Sequence, residues 1–470
     1  MKRFALVVSA IFLLSGLVFA ETKDEGVDLT IYNQNFGLVK DKRLLNIEKG
    51  ISQIRFQDVA SQIEPTSVHF KSLSFPEACL IQEQNYEYDL VNASKLLSKY
   101  IDKKIKILTE DGSTYEGVLM SYDNDNIIIS DARDKSLNMI SRKENIKNIS
   151  FTELPEGLIT KPTLMWQISN EKPGKHLTEV SYLTQGINWL CDYVVVADQD
   201  DKNIDLSGWV TIDNKSGTTY KDAGLKLIAG DVHRAEDDLR PQVFNAMKMV
   251  REKADQQFEE KAFFEYHMYT LQRRTTVKDN QTKQITLLTT NKVPIKKLFI
   301  YDPATDYGWY YYQEAQTSKE QKVKVKLEIE NSKKNNLGMP LPKGKVKVYK
   351  KDVDGALEFI GEDAIDHTPK DEKIRLVLGE AFDVVGERKK TDYKDLNKAV
   401  DETYEISLRN HKDENIEVIV VEHLWRYSNW KLLYNSHDFT KKDAQTIEFK
   451  VPVAKNGETK IIYTVHYWWK

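Results

Sequence analysis

Ile187-Asn-Trp-Leu-Cys-Asp-Tyr-Val-Val-Val196 decides how this chain is read. Ile187, Trp189, Cys191 and Tyr193 recur at every second position, so an extended strand carries them all on one face. Asn188 and Asp192 then fall on the other. The polar run Asp198-Gln-Asp-Asp-Lys-Asn203 connects this strand to a second candidate, Ile204–Asp213, and Ser216-Gly217 makes the next turn.

The same period continues toward the C-terminus. Lys322–Glu330 sets Val323, Val325, Leu327 and Ile329 against charged neighbours, the pattern of a half-exposed strand. Lys345–Tyr349, Ile374–Leu378, Tyr404–Arg409, Ile416–Glu422, Gln445–Val451 and Lys460–Tyr467 bring the number to seven. The spacing predicts an immunoglobulin-like sandwich over 319–470, without its cysteine pair. Asn331–Asn336 and Glu387–Tyr393 read as polar loops. One stretch breaks the period: Val243, Met247, Val250, Ala254, Phe258 and Ala262 step by three or four, which predicts an amphipathic helix over 241–262, starting near Pro241. Its polar face mixes both charge signs, so it is expected to pack on its own sheet. Phe264, Tyr266 and Met268 return to strand.

Toward the N-terminus, Asp28–Tyr32, the turn Asn33–Gly37, Leu38-Val39 and the series Ile51, Ile54, Phe56, Val59 supply short strands, with Pro65 and Pro76 held to edges or ends. A distinct unit follows. Leu96, Leu97 and Tyr100 share a helical face, and five strands come after it: Lys104–Leu108, Thr114–Tyr122, Asn126–Ser130, Ser136–Ile140 and Ile146–Phe151. Each ends in a tight polar turn, so the segment predicts a small closed barrel with Ile105, Ile107, Val118, Leu119, Ile128, Met139 and Ile149 in its core. The organisation expected is a leader over 1–20, an N-terminal β segment over 21–92, the small barrel over 93–152, a central β domain over 153–318 and the C-terminal sandwich over 319–470. The fold class is mainly β, with several sandwiches.

The first residues bear on location. Lys2 and Arg3 precede an apolar run from Phe4 to Phe19, closed by Val18-Phe19-Ala20 before Glu21. That is the layout of a secretory signal peptide, with cleavage expected between Ala20 and Glu21. No cysteine stands at the cleavage point for a lipid anchor, and no later run is long and apolar enough to span a membrane. The mature protein is therefore expected in the periplasm or outside the cell, away from ATP-fed and genomic-DNA chemistry.

Among 470 residues, 68 are basic and 72 acidic, a net charge of −4 that gives no global field toward nucleic acid or anionic lipid. The 23 tyrosines and 8 tryptophans suit half-buried pleated faces and contact surfaces. The two cysteines, Cys79 and Cys191, are expected as free thiols, Cys191 filling a strand face.

No nucleophile elbow, Walker loop or metalloprotease helix occurs in the sequence. Gly338-Met-Pro-Leu-Pro-Lys-Gly-Lys345 is one residue too long for a phosphate loop, and its prolines lack backbone donors. It reads as a proline turn entering a strand. The nine histidines are scattered; His233 and His367 lie near aspartates but make no ligand spacing. The Asp198–Asp201 cluster reads as a solvated turn rather than a calcium loop. No catalytic, cofactor or metal residue is assigned.

The 93–152 unit resembles the Sm-like fold. Gly117-Val-Leu119, Asp123 and Asn126-Ile127 stand at nearly the spacing of its first motif, though the loop before Asn126 is one residue short. Ser141-Arg-Lys143 replaces the Arg-Gly of its second motif. RNA binding in that family depends on those loops, so the resemblance implies a structural insert. A wider resemblance rests on Thr30-Ile-Tyr-Asn33, Phe36-Gly-Leu-Val39, Leu154-Pro-Glu-Gly-Leu158, Lys161-Pro-Thr-Leu164, Tyr182-Leu-Thr-Gln-Gly186, Trp189, Asp192-Tyr193, Gly208-Trp-Val-Thr211, Ser216-Gly-Thr-Thr-Tyr220 and Ala229-Gly-Asp-Val232. It continues through Glu265-Tyr-His267, Val293-Pro294 and Leu378-Gly-Glu-Ala-Phe382. Together these resemble bacterial exported proteins carrying the domain of unknown function 4139. That implies β-rich architecture and an envelope location, and no reaction. The expected function is a non-enzymatic envelope module binding a protein or surface polymer. The alternative is a secreted hydrolase of glycans or peptides using strand-borne carboxylates. A cleft lined by buried carboxylates with perturbed titration favours the enzyme, and an aromatic contact surface favours binding.

Overall fold

Alternation this regular yields strands nearly throughout. A computed structural model of the protein describes residues 25–143, 145–155, 157–230, 232–234, 258–303, 320–424 and 429–469; among them the fold is mainly β, with Ala93–Lys99 the only α-helix. The chain divides into two compact units. One holds Leu38–Leu183 with the residues before Leu29, the other Leu29–Gly37 and Thr184–Lys470.

In the first unit, Thr163–Asn170 lies between Gly50–Gln57 and Cys79–Glu87, antiparallel to both. Trp166 on this central strand is fully buried, with the rings of Phe56 and Phe70 at 5.6 and 5.2 Å and its indole N–H donated to Gln84 Oε1 at 2.8 Å. The 93–152 segment is carried by two adjacent chain crossings: Val91 N–H donates to Ile159 O at 2.9 Å and Ile159 N–H to Asp89 O at 3.1 Å. Asn92 caps the helix by accepting Lys95 N–H at 2.9 Å. The five predicted strands are all present, as Lys104–Thr109, Thr114–Tyr122, Asn126–Asp131, Leu137–Ser141 and Ile146–Ser150. Gly117 allows the sheet to bend, since a Cβ there would sit 2.2 Å from Ser130 O on the neighbouring strand.

Two expectations for this segment need correction. The ladder is an open five-stranded sheet with Ile146–Ser150 at one edge and Leu137–Ser141 at the other, and these edges do not pair, so the barrel does not close. The core is also partly out of phase with the prediction. It comprises Leu97, Tyr100, Ile105, Ile107, Leu119, Ile127, Ile129 and Ile140, with Ile149 packed against it. Met139 is 70% exposed, and Val118 and Ile128 are only half-buried. Ile127-Ile-Ile129 is apolar in either phase, and a bulge between Leu119 and Ser121 settles which is chosen.

In the second unit a long sheet runs in the order Leu357–Ile365, Gly344–Lys351, Ile187–Ala197, Asn203–Asn214, Gln281–Tyr301, Glu320–Glu330, Lys373–Asp395, Ala399–Asn410, Gly457–Trp468, Asn429–Asn435. Gln281–Tyr301 is a 21-residue strand that the sequence does not reveal when proline is taken as a strand limit. Pro294 falls where the strand changes partner, from Asn203–Asn214 to Glu320–Glu330, so its missing N–H leaves no gap in either ladder. Phe299–Tyr301 also pairs in parallel with Ile416–His423, which leads to Thr446–Val453 and Phe439–Lys441. These strands pack over the end of the long sheet as a two-layer sandwich around Ile406, Leu408, Val418, Val420, Phe449, Val451, Ile461 and Val465.

The polar loop expected at Glu387–Tyr393 is strand, paired with Ala399–Asn410. Its charges turn inward to meet buried carboxylates, so a composition that reads as solvated is part of the core. The helix expected over 241–262 lies for residues 241–257 outside the described residues; its end is strand Phe258–Phe263, paired with Tyr266–Leu271.

One local device recurs. Trp166-x-Ile168-x-Asn170, Val210-x-Ile212-x-Asn214 and Ile406-x-Leu408-x-Asn410 each end a strand in a buried asparagine. Each Oδ1 accepts the N–H two residues on, at 3.1, 3.1 and 3.0 Å. Each Nδ2 donates to a carbonyl of its own turn, Lys172, Thr218 or Glu414. It also reaches two consecutive carbonyls of another turn, Ile47 and Glu48, Val277 and Lys278, or Val453 and Ala454. Leu327-x-Ile329-x-Asn331 is a variant, tied to Met339 O, Pro369 O and Gly338 N–H. These corners fulfil all the hydrogen-bonding demands of buried amides.

Candidate functional site

In the second unit, two strands carry bulges that face each other. Glu320–Glu330 pairs with Lys373–Asp395 with two slips: Leu378 is skipped between Val377 and Gly379, and Ala381–Val384 spans the single residue Val323. Gly379 takes φ +145°, which accommodates the first slip. In the second, Ala381 and Val384 turn into the sandwich core while Phe382 is left 85% exposed. Lys322 Nζ donates to Phe382 O at 3.0 Å and sits 4.9 Å from its ring centroid. Opposite, Ile360 is the extra residue between Phe359 and Gly361. Gly361 lies so close that a Cβ would be 2.6 Å from Leu378 O, and Val377 N–H donates to Asp363 Oδ2 at 2.7 Å. The long sheet thus curls until its first strand touches its seventh without a ladder between them.

A cleft of about 260 Å³ opens at this join. Phe299, Val325, Leu327, Ile360 and Leu378 form its apolar lining, and Asp201, Lys297, Lys350, Glu380, Asp383 and Lys412 its charged surround. Asp201 accepts Lys297 Nζ at 2.8 Å and Lys350 Nζ at 2.5 Å. Burial works to raise its carboxyl, but the two ammonium groups hold it below the usual range, so it stays ionised. The acidic cluster read as one solvated turn is therefore divided. Asp198 closes the turn through Lys202 N–H, Asn203 N–H and Asn203 Nδ2, while Asp201 serves the cleft.

A second polar assembly lies in the sandwich core. Arg388 Nε and Nη2 grip Glu422 at 3.0 Å each, and Tyr463 O–H donates to the same carboxylate. The guanidinium stacks 3.7 Å from the centroid of Tyr404, whose O–H donates to Glu402 at 2.7 Å; Lys390 Nζ closes the chain on Glu402 at 2.9 Å. Glu422 is fully buried and Glu402 is 2% exposed. Burial drives the Tyr404 hydroxyl well above its ordinary value. Both carboxylates face cations and tyrosines, an arrangement that serves cohesion.

The other residues singled out in the sequence are dispersed. Ala20 and Glu21 lie outside the described residues. His233 is exposed, and His367 accepts Lys343 N–H at 3.2 Å. Among the described residues no group of three or more His, Cys, Asp or Glu is placed to hold a metal ion, and no helix is long and apolar enough to cross a membrane. Cys79 and Cys191 are free thiols; burial pushes Cys191 up to about 12. The facing bulges were missed because periodicity shows only where strands run; Gly379 beside the out-of-phase pair Ala381-Phe382 was the available signal.

The family model described as Domain of unknown function (DUF4139) matches residues 178–469, well over half of the chain. The match contains every residue of the cleft, including the Leu378–Phe382 motif. No curated protein matches the chain.

Proposed function

From a chain that belongs to the DUF4139 family, described only as a domain of unknown function, we propose an exported binding or scaffold module of the cell envelope. Its contact site is the curled-sheet cleft, and its partner a protein or a surface polymer. The observation that carries this reading is Phe382. An aromatic side chain held out at the crest of a bulge, beside an apolar recess with a charged rim, is a recognition anchor of moderate size. The chemistry of the rim supports the same reading. Asp201 is locked in its charged form by two lysines, which unfits it as a general acid. The leader over residues 1–20 would deliver the module, beginning at Glu21, to that compartment.

Capture from envelope extracts by the mature chain tests the proposal. Phe382→Ser should release the captured partner while leaving the melting temperature within about 2 °C, since its side chain is exposed. Lys350→Glu should release it as well, with a loss of stability from setting a second carboxylate against Asp201. Capture unchanged in both variants, or turnover of glycan or peptide substrates by the purified chain, would remove the reading. Mass spectrometry showing Met1 retained in the envelope fraction would remove the exported part.

A further inference from the structure

The first unit holds a nucleophile beside a base. Cys79 opens the strand Cys79–Glu87 and is partly exposed, whereas His176 on Gly174–Gln185 is fully buried. His176 Nε2 lies 2.7 Å from Lys172 O. A carbonyl only accepts, so Nε2 carries the ring proton and Nδ1 presents a lone pair. That lone pair faces two donors, Ser72 Oγ at 3.0 Å and Cys79 Sγ at 3.6 Å. Ser72 Oγ in turn accepts Phe75 N–H at 3.1 Å, and the Phe75 ring packs edge-on against the imidazole at 5.2 Å. On its other side the thiol has a second acceptor, donating to Asn170 Oδ1 at 3.6 Å when it does not face Nδ1; this is the corner amide that also accepts Lys172 N–H. Nucleophile, base and the group that fixes the base's tautomer are thus all supplied by packed residues.

We infer that Cys79 is a reactive thiol served by His176, and that it exchanges with small disulfides to carry a mixed disulfide. Burial pushes the thiol up, so the resting sulfur is a protonated thiol rather than a standing thiolate. In the exchange the S–H bond breaks and its proton passes to His176 Nδ1, the Ser72 hydroxyl turning aside. The sulfur's electron pair forms a new S–S bond with one sulfur of the incoming disulfide. The old S–S bond breaks, its electrons leave on the departing thiolate, and the imidazolium returns the proton to it. Cys79 is thereby oxidised; the small disulfide is the oxidant, and its departing half leaves reduced, as a thiol. Cys191, buried and pushed up to about 12, takes no part and is an internal reference.

The test is the rate of reaction of the native full chain with an aromatic disulfide, 5,5′-dithiobis(2-nitrobenzoate), between pH 5.5 and 9.5. One thiol per chain should react, none in Cys79→Ser, and the second only on unfolding. The rate should climb across the range in which an ordinary imidazole sheds its proton, ahead of the ionisation of the thiol, which burial pushes up. His176→Gln should slow the reaction at pH 7 by about tenfold or more. Ser72→Ala removes the competitor for Nδ1 and should raise the rate, which a purely structural histidine does not predict. An inert Cys79, a rate that rises only with the thiol's own ionisation, or a folded His176→Gln chain reacting at the original rate would each overturn the inference.

Discussion

The core of the C-terminal sandwich and the core of the 93–152 segment are built on opposite terms. The sandwich encloses Arg388, Glu422, Glu402 and Lys390 among its aliphatic residues. The small segment has no charge among its eight core residues, and the Tyr100 hydroxyl in that core is bonded to Glu153 O at 2.7 Å. The difference follows from size. A buried charge must be ringed by partners, and partners need several layers of strand to hold them. Eight core residues over one short helix and five strands leave no room for a second shell, so cohesion there is apolar burial alone.

The sharpest way to break the comparison is to take one charge from the large core. Glu422→Ala leaves Arg388 buried without its carboxylate and should cost about 3–5 kcal/mol in urea unfolding. The paired change Arg388→Met with Glu422→Leu should recover most of that loss, because it removes both desolvated groups together. A mild single variant, or a double as damaged as the single, would mean that the network contributes differently from a compensated ion pair. In the small core the matching change is Leu119→Ala, expected to cost about 2–4 kcal/mol through lost contacts and the cavity left behind. Hydrogen exchange should show that loss confined to the 93–152 segment, with the sandwich amides unaffected.

Phase gives a finer contrast. Met139→Lys should change stability by less than about 0.5 kcal/mol, whereas Ile140→Lys one residue on should melt the segment. Circular dichroism of the two chains decides it. The smallest effect concerns His423, which the Asp302 carboxylate holds above its ordinary value through a 3.2 Å contact. A raised folded value means that the protonated ring is the form the fold favours. Its contribution is full below an ordinary histidine value near 6.5 and fades as pH rises through the folded value. The amount should stay under about 1 kcal/mol, and His423→Gln should abolish this pH dependence in melting curves.

Much of this fold is legible in residue order. Period two gives the strands from Ile187 to Tyr467, because a half-buried strand leaves its alternation in the sequence. The turns of the small segment are legible too: Asp123 accepts Asp125 N–H at 2.8 Å and Asn126 N–H at 2.7 Å, as a turn aspartate should. What escapes is whatever depends on a neighbour across the sheet. Ile127-Ile-Ile129 does not say which isoleucine is inside. Glu387–Tyr393 does not reveal that Glu422 and Glu402 await its cations. Gln281–Tyr301 hides its length behind Pro294, and the cleft exists only because two bulges on distant strands meet. The Cys79–His176 pair is likewise a product of pairing, its members 97 positions apart in sequence.

The asparagine corners bear on how such a protein changes over generations. The amide donates only to main-chain carbonyls, and any residue offers those. The side chains of the clamped turns are therefore free to vary, and so is the length of chain between them. After Asn170 the next strand begins at Gly174, after Asn214 at Tyr220, after Asn410 at Ile416, and after Asn331 only at Gly344. Each corner secures the strand behind it while leaving the loop ahead open to lengthening, which makes these loops the places where new surface can be grafted without disturbing the sheet.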